Sequence, residues 1–242
     1  MKQVAIRTCF LGLSAPTFGQ IPEASTGKWV PTWIAMPQEV EWWNLPAAPY
    51  IALFTLFADS TIRQTVHTSL GTSSHIRIQI SNVFGPTDLP ITAVTVGLPA
   101  NGAAGVSALE PGNVHQVTFS GRDQVNASEL VQATKIEHWY FLSAVEAWTV
   151  WEALQIKTRA GQNLVLSHMQ NSSNPTLQSV AVINQAAVGN RVLADIQGPS
   201  ALSRIERDVL SYPSVRYVIV FEGINDIGVA GTDPESQSFL YE

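Results

Sequence analysis

Asn225 and Asp226 are the residues of this sequence whose types best suit chemistry at a loop. An asparagine amide is a neutral hydrogen-bond donor that suits a developing oxyanion, and Asp226 is suited to hold the loop by accepting backbone N–H groups. Gly223 has no side chain, so the backbone there can turn sharply and approach a ligand closely. The same residue types are common in turns, and an ordinary exit from a strand is therefore the alternative interpretation.

Two apolar runs could position such loops. Residues 217–221 and Val180–Asn184 are short and rich in β-branched or aromatic residues, which predicts strands buried on both faces. The loop 185–190 follows one run, and the loop 223–226 follows the other. Strands of this kind belong to parallel sheets covered by helices, and such sheets bind ligands at the carboxyl ends of their strands.

A helix is predicted between these two strands. Apolar residues recur at positions 202, 205, 209 and 210, which is a helical period. Ser200 suits the N-cap, and Glu206 and Arg207 fall on the solvent side. A right-handed strand–helix–strand crossover would place the two loops at the same edge of the sheet.

The segments 184–193 and 218–228 resemble, in this order and spacing, the second and third signature blocks of the SGNH (GDSL-type) hydrolases. The resemblance is closest to secreted fungal members that carry a β-rich domain in front. It implies a flavodoxin-like α/β/α fold and hydrolysis of carbohydrate esters or small acyl or acetyl esters by a serine nucleophile. Carried over residue by residue, it implies Gly189 and Asn225 as oxyanion donors, with Gly223, Asp226 and Asn190 supporting the loops.

The nucleophile and base blocks of that family have no counterpart here. The sequence contains no Gly-Asp-Ser, which should fall between Trp148 and Leu164, and no histidine follows His168. Acyl transfer needs an activated nucleophile with a base in hydrogen-bond reach. With no nucleophile and no base assigned, we expect the chain to be inactive or nearly so, as a pseudoenzyme, a spliced or truncated product or an incorrect gene model.

The absent nucleophile strand leaves a gap in the expected sheet. In the family that strand lies between the two strands identified above, and residues 149–156 could fill the slot because Val150, Leu154 and Ile156 are among their apolar residues. Such a strand would repair the sheet without restoring chemistry. Because the family's later strands are also missing, one face of the sheet is expected to be exposed and prone to aggregation.

The sequence before this region predicts short, half-buried strands. Residues 75–80 alternate cleanly, with isoleucines on one face and Arg77 and Gln79 on the other, and residues 61–68, 91–96, 114–119 and 136–142 continue the pattern. The predicted fold class is therefore all-β plus α/β. A jelly-roll-like β-sandwich spans residues 28–148, and a truncated SGNH-type α/β domain spans residues 149–242.

The amino terminus allows two interpretations. Residues 1–27 carry Lys2 and Arg7 before a short apolar core, which is typical of a weak signal peptide, and a disordered tail is the alternative. Glycosylation sequons at Asn126 and Asn171 favour secretion. Cys9 is the only cysteine, which excludes an internal disulfide and a cysteine-based metal site.

The composition limits the classes of binding partner that the sequence predicts. The chain has 242 residues, 45% of them hydrophobic, and a formal net charge of −6, which suits a globular protein and argues against nucleic acid. No segment is apolar for the length of a membrane span, and no spacing suggests a metal or cofactor. The expected partner is a small-molecule or carbohydrate ester.

Two rival interpretations concern function. A noncatalytic protein could bind a glycan through exposed aromatic residues, and Trp42 and Trp43 are the best candidates because they lie in a loop-like, proline-rich stretch. Loss of glycan affinity in Trp42→Ala, without ester turnover, would favour that interpretation. An unstable fragment is the other rival.

Overall fold

The computed structural model describes residues 4–9, 27–52, 55–57, 60–70, 75–103, 106, 108–116, 140–150, 152–157, 161–212 and 214–240. Twelve strands are described: β1 Val4–Cys9, β2 Lys28–Ile34, β3 Ile51–Ala52, β4 Thr55–Leu56, β5 Ser60–Thr65, β6 Ile76–Ile80, β7 Ile91–Pro99, β8 Leu109–Gln116, β9 Leu142–Thr149, β10 Glu152–Lys157, β11 Val180–Asn184 and β12 Val215–Val220. The helices are α1 Gly161–Gln170, α2 Pro175–Gln178, α3 Ala201–Ile205, α4 Ile224–Val229 and α5 Pro234–Ser238, and α3 continues as a π-helical turn, Glu206–Leu210.

The strands form a β-rich α/β fold with four described sheets. One sheet has the order β5-β1-β7-β8, in which β1 pairs parallel with both neighbours and β7 pairs antiparallel with β8. A second, antiparallel sheet has the order β2-β9-β6, and β3 and β4 form a small antiparallel pair. The third sheet, β11-β10-β12, is wholly parallel, and it positions the candidate site.

The first two sheets share an apolar core. Val66 and Val96, after β5 and on β7, pack with Leu142 and Val145 of β9. Strand β6 separates its two faces as the sequence predicted, since Ile78 packs on this core. On the opposite face Arg77 and Gln79 both donate to the buried carboxylate of Glu146. The alternation of apolar and polar residues therefore separates the face of β6 that packs on the apolar core from the face that contacts Glu146.

The parallel sheet has a strand in the central position, where the sequence predicted residues 149–156 to lie. Strand β10 lies between β11 and β12, with Leu154 opposite both Val182 and Tyr217. The prediction that this segment fills the central slot is confirmed for residues 152–156, which belong to β10. Its start is wrong, because Thr149 is the last residue of β9 and Val150 is exposed. Ala181, Val182 and Ile183 of β11 are completely buried, which confirms the predicted burial of that strand as well.

The antiparallel sheet β2-β9-β6 packs against the parallel sheet. Ile34 and Ala144 form one buried cluster with Ile183 of β11. The backbone N–H of Val182 donates a 3.0 Å hydrogen bond to Oγ of Ser69, whose own N–H and hydroxyl both donate to the carbonyl oxygen of Thr32. Ser69 thus links β11 to β2 and satisfies a donor at the edge of β11.

Two predictions about burial are wrong. Residues 217–221 were expected to be buried on both faces, but all five side chains are exposed. Among the described strands both β11 and β12 are edge strands, and the difference is that β11 packs in the apolar clusters with β2 and β9, whereas only Val215, at the start of β12, contacts those clusters. The predicted apolar face of the helix is wrong for three of its four residues, because Leu202, Ile205 and Leu210 are exposed and only Val209 is buried as predicted. The buried face also carries Arg204 and Asp208.

Several predictions need correction or lie outside the described residues. The strand predicted at 136–142 begins at Leu142, and the part 136–139 lies outside the described residues. Residues 10–26, the sequon at Asn126, and residues 117–119 of a predicted strand also lie outside them. The segment Val4–Cys9 is the strand between β5 and β7. Within the part of the chain that the structure describes, no helix is both long and apolar enough to cross a membrane.

Candidate functional site

The carboxyl ends of β11 and β12 lie at one edge of the parallel sheet, because both strands run parallel to β10 between them. Each is followed by a loop that contains a glycine in the left-handed region, Gly189 with φ 71° and Gly223 with φ 104°. Non-glycine residues adopt this region at a cost, so the backbone conformation explains glycine at both positions. Gly223 is the N-cap of α4, the helix that carries Asn225 and Asp226.

The structure brings the two loops into direct contact. The side-chain nitrogen of Asn225 donates a 2.7 Å hydrogen bond to the carbonyl oxygen of Asn190. Both carboxylate oxygens of Asp226 accept the backbone N–H of Val192, at 3.2 and 3.1 Å, and Nε of Arg191 lies 3.3 Å from the same carboxylate. The sequence expected Asp226 to accept backbone N–H groups of its own loop, and in the structure it holds the neighbouring loop.

A buried arginine on α3 supports the loop after β11. The side chain of Arg204 is fully buried, and its guanidinium donates to the carbonyl oxygen of Gln185 at 2.8 Å and to Oδ1 of Asn190 at 2.6 Å. Asn190 is itself buried and donates through Nδ2 to the carbonyl oxygen of Pro199 at 2.6 Å. Asn190 is therefore fixed from both ends of its side chain, while its backbone oxygen receives Asn225.

Two carboxylates balance the charge of Arg204. Asp208, one turn later, lies 3.1 Å from the guanidinium, and Glu222, the residue before Gly223, lies 3.5 Å from it. Arg207 also contacts Asp208, from a more exposed position. Because a buried charge is tolerated only when it is paired and hydrogen-bonded, this cluster fixes the ends of β11 and β12 relative to α3.

Sequence reasoning missed Arg204. The apolar period selected Leu202, Ile205 and Leu210, and a charged residue was not expected on the buried face. The available signal was the spacing of Arg204 and Asp208, which are four residues apart and therefore neighbours on one helix face.

A cavity of about 970 Å³ borders the loop after β11. We call it the cleft. It is lined by residues 33–41, 43 and 44 at the end of β2 and after it, residues 56 and 57, the turn 81–90 after β6, residues 140–143 at the start of β9, and residues 184, 186–188 and 197. Gln197 links the cleft to the candidate site, because a Cβ atom added to Gly189 would lie 2.3 Å from its Oε1. The cleft therefore ends beside the loop that carries Gly189.

The two adjacent tryptophans have different positions relative to the cleft. Trp42 and Trp43 are 77% and 56% exposed, and their rings meet edge to face with centroids 5.6 Å apart. Trp43 lines the cleft, whereas Trp42 is not among its lining residues. The sequence singled out Trp42 for a glycan test, and the structure makes Trp43 the better choice.

Tyr140 and Asn44 help to shape the inner wall of the cleft. The Tyr140 hydroxyl donates a hydrogen bond to the carbonyl oxygen of Asn44, and the Asn44 amide donates to Glu41 at 3.2 Å. Burial raises the pKa of Tyr140, so the hydroxyl stays protonated and keeps this bond throughout the neutral range. The segment carrying Trp43 is thereby tied to the start of β9.

Serine and histidine do not meet at this site among the described residues. Ser143 lines the cleft, but its hydroxyl donates to the carbonyl oxygen of Gln79 at 3.1 Å, and the described lining contains no histidine. Ser167 and His168 are exposed on α1. The sequence directly after β10 reads Thr158-Arg159-Ala160 and lies outside the described residues. Within the described ranges, no group of three or more histidine, cysteine, aspartate or glutamate side chains could hold a metal.

No protein-family model matches this chain, and no curated protein matches it. What the site does is therefore inferred from its own residues and contacts. It offers amide N–H groups on glycine-containing loops at the carboxyl edge of a parallel sheet, which is an arrangement that can receive an oxygen atom carrying negative charge.

Proposed function

We propose that this protein is related to the SGNH hydrolases and recognises acyl esters, and that the present chain does not cleave them efficiently. In this proposal residues 28–148 form a jelly-roll-like β-sandwich, and residues 149–242 form a partial flavodoxin-like α/β domain. The sheet order β11-β10-β12 supports the second part, because β10 occupies the slot of the family's first strand. Secretion, which the sequons favour, belongs to the same proposal.

The observation that carries the proposal is the hydrogen bond from Asn225 to the carbonyl oxygen of Asn190. It shows that the two loops which resemble the family's oxyanion blocks lie side by side. An amide nitrogen carries two hydrogens, so Asn225 keeps a second N–H after this bond. We assign that N–H, together with the backbone N–H of Gly189, to the carbonyl oxygen of an acyl group.

Binding without efficient turnover follows from the residues that are missing. A neutral hydroxyl is a weak nucleophile until a base removes its proton, and the loops supply neither group. Hydrogen-bond donors alone stabilise charge that develops only after attack begins. Asn225 and Gly189 therefore support recognition of the ester carbonyl, while the loops provide neither the nucleophile nor the base that the attack needs.

Turnover and binding of one ester test this proposal together. We expect p-nitrophenyl acetate to hydrolyse at the buffer rate, and a fluorophosphonate probe for active serines to leave the protein unlabelled. We expect calorimetry to show that an acetylated oligosaccharide binds more tightly than its deacetylated form, and that Asn225→Ala removes this difference. Turnover that the fluorophosphonate abolishes would overturn the claim of inactivity, and equal affinity for both sugars would overturn the assigned role of Asn225.

A second candidate function is glycan binding without any role for the oxyanion loops. The exposed ring of Trp43 in the lining of the cleft favours it, because a tryptophan face is a common stacking surface for apolar ring faces. Affinity for sugars that is indifferent to acetylation and to Asn225→Ala would select this second function.

A further inference from the structure

We propose that the cleft is a binding site for an uncharged glycan chain, with Trp43 as its stacking surface, and that the glycan presents its acyl group to the Gly189 loop. The placement of the acyl group rests on the function proposed above. The assignment of the cleft to a neutral glycan does not, since it follows from the residues that line the cleft.

The aromatic residues of the cleft differ in exposure. Trp33, Tyr140 and Phe141 are half-buried and pack on the apolar clusters of the first two sheets. Trp43 and Phe84 are exposed, and they lie on the segment after β2 and on the turn after β6. Large aromatic rings at a concave opening are the anchors on which ligand binding usually depends.

The charged residues of the cleft are all acidic. Glu39, Glu41 and Asp88 line it, and among the described residues the lining contains no lysine, arginine or histidine. Carboxylates accept hydrogen bonds from hydroxyl groups, and they repel a ligand that carries its own negative charge. The cleft therefore suits a neutral sugar and disfavours uronates and phosphates.

Amide side chains complete the polar lining. Gln38 and Gln197 both line the cleft, and a Cβ atom added to Gly198, next to Gln197, would lie 2.7 Å from Oε1 of Gln38. Gln197 also lies beside Gly189, because a Cβ atom added to Gly189 would lie 2.3 Å from its Oε1. We place the acyl substituent of the bound glycan against this part of the lining, next to the Gly189 loop.

Calorimetry of the full chain tests the cleft. The probes are neutral hexasaccharides (xylohexaose, cellohexaose and β-1,4-mannohexaose) and hexagalacturonate as the charged comparison. We expect at least one neutral probe to bind, and Trp43→Ala to weaken it by about tenfold, the order expected for loss of one aromatic anchor. The matched control is Trp42→Ala, an exposed tryptophan on the same turn, which should change the affinity by less than about twofold.

The outcomes that overturn the proposal are distinct. If no neutral hexasaccharide binds, or if Trp42→Ala weakens binding as much as Trp43→Ala, the cleft is not the site. Circular dichroism of both variants shows whether they fold, and because both rings are exposed we expect both to do so. If hexagalacturonate binds as well as the neutral probes, the charge argument fails.

A second pair of variants examines the charge argument directly. Glu39→Gln and Asp88→Asn remove carboxylates from two different segments of the cleft lining while keeping the shape of the side chains. We expect the double variant to bind hexagalacturonate more tightly than the wild-type protein does, with its affinity for the neutral probe changed by less than about threefold. An unchanged affinity for hexagalacturonate would mean that these carboxylates do not face the ligand.

The failure of this proposal differs from the failure of the proposed function. Trp43→Ala should weaken acetylated and deacetylated xylohexaose equally, whereas Asn225→Ala should affect only the acetylated form. If acetylation adds nothing but Trp43→Ala still weakens binding, the cleft stands and the oxyanion role of Asn225 fails. If acetylation strengthens binding but Trp43→Ala has no effect, the acyl-binding role of the loops is supported and the assignment of the cleft as the glycan site is wrong.

Discussion

The side chain of Asn225 donates a hydrogen bond to the backbone oxygen of Asn190, although the two residues follow strands that are not neighbours in the sheet. Asn190 follows β11 and Asn225 follows β12, and β10 lies between them in the sheet. The contact therefore closes the edge of the parallel sheet above β10. Its consequence is that the loops after β11 and β12 act as one unit, which is what a shared hydrogen-bonding site requires.

Replacing Asn225 should break the contact between the two loops and lower the free energy of unfolding by a modest amount. In Asn225→Ala the carbonyl oxygen of Asn190 loses its partner, and we expect a loss of about 1–2 kcal/mol in the free energy of unfolding, measured by urea denaturation. The control is Asn171→Ala, whose exposed amide donates to the carbonyl oxygen of Ser167 at 2.9 Å and should cost less than about 0.5 kcal/mol. Equal costs for the two variants would show that the contact between the loops contributes nothing.

Arg204 should be the most sensitive position of the α3 region. Arg204→Met leaves Asp208 and Glu222 near each other without their buried cation, and we expect a loss of about 3–5 kcal/mol in the free energy of unfolding. The control is Arg207→Met, which removes a more exposed partner of the same Asp208 and should cost less than about 1 kcal/mol.

A double variant separates charge pairing from packing at the same position. Arg204→Met with Asp208→Leu removes both charges, so it should be more stable than Arg204→Met alone, although Asn190 and Gln185 still lose a donor. If the double variant is no more stable than Arg204→Met, the charge of Asp208, which Arg207 still contacts in Arg204→Met, is not the cause of the loss.

The sequence predicted those parts of the fold that depend on local pattern. The apolar run of β11 predicted its burial, Ser200 predicted the N-cap of α3, and the alternation in β6 predicted the faces of Ile78 and Arg77. These features follow from side-chain period and capping chemistry, which are local properties.

The parts that could not be predicted depend on which elements become neighbours. Residues 217–221 are as apolar as β11 and both strands lie at an edge of the sheet, so nothing local shows that neighbouring elements cover only β11. The burial of Arg204 likewise depends on Asn190 and Glu222, which come from two different loops. A polar cluster of this kind becomes visible only when the strand order brings its members together.

The left-handed conformation of Gly223 predicts a specific glycine effect. Gly223→Ala should lower the free energy of unfolding by about 1–2 kcal/mol through backbone strain alone, because no atom lies within 4 Å of the added Cβ. The control is Gly228→Ala on α4, where the added Cβ also meets nothing, and it should stabilise by up to about 1 kcal/mol. Thermal melts of both variants measure these opposite changes, and the same direction in both would contradict the assigned conformation.

Tyr212 should make the fold sensitive to alkali. Burial raises the pKa of Tyr212, the nearby carboxylates of Asp208 and Glu146 raise it further, and Arg207 opposes them. Because the raised pKa belongs to the folded state, its stabilisation is fully present below the unfolded value of about 10 and is lost as the pH rises through the folded pKa.

Tyr212→Phe tests this dependence. We expect the wild-type protein to lose more stability than Tyr212→Phe between pH 8 and about pH 11, as measured by urea denaturation at each pH. The control is Tyr217→Phe on β12, an exposed tyrosine, which should follow the wild-type curve. Parallel curves for Tyr212→Phe and the wild-type protein would show that the buried phenol does not titrate in this range.

The exposed apolar residues at the end of β12 should drive self-association. Phe221 is 74% exposed and follows a strand with one described pairing partner, so the edge offers both apolar surface and unpaired backbone groups. We expect Phe221→Lys to reduce the concentration-dependent light scattering of the protein, with little change in the free energy of unfolding. The matched control is Val150→Lys, which also replaces an exposed apolar residue, 64% accessible, and adds the same single positive charge to a formal net charge of −6. Since that added charge lowers the net repulsion between molecules equally in both variants, reduced scattering in Phe221→Lys alone locates the association at the β12 edge, and equal behaviour of the two variants would place it elsewhere.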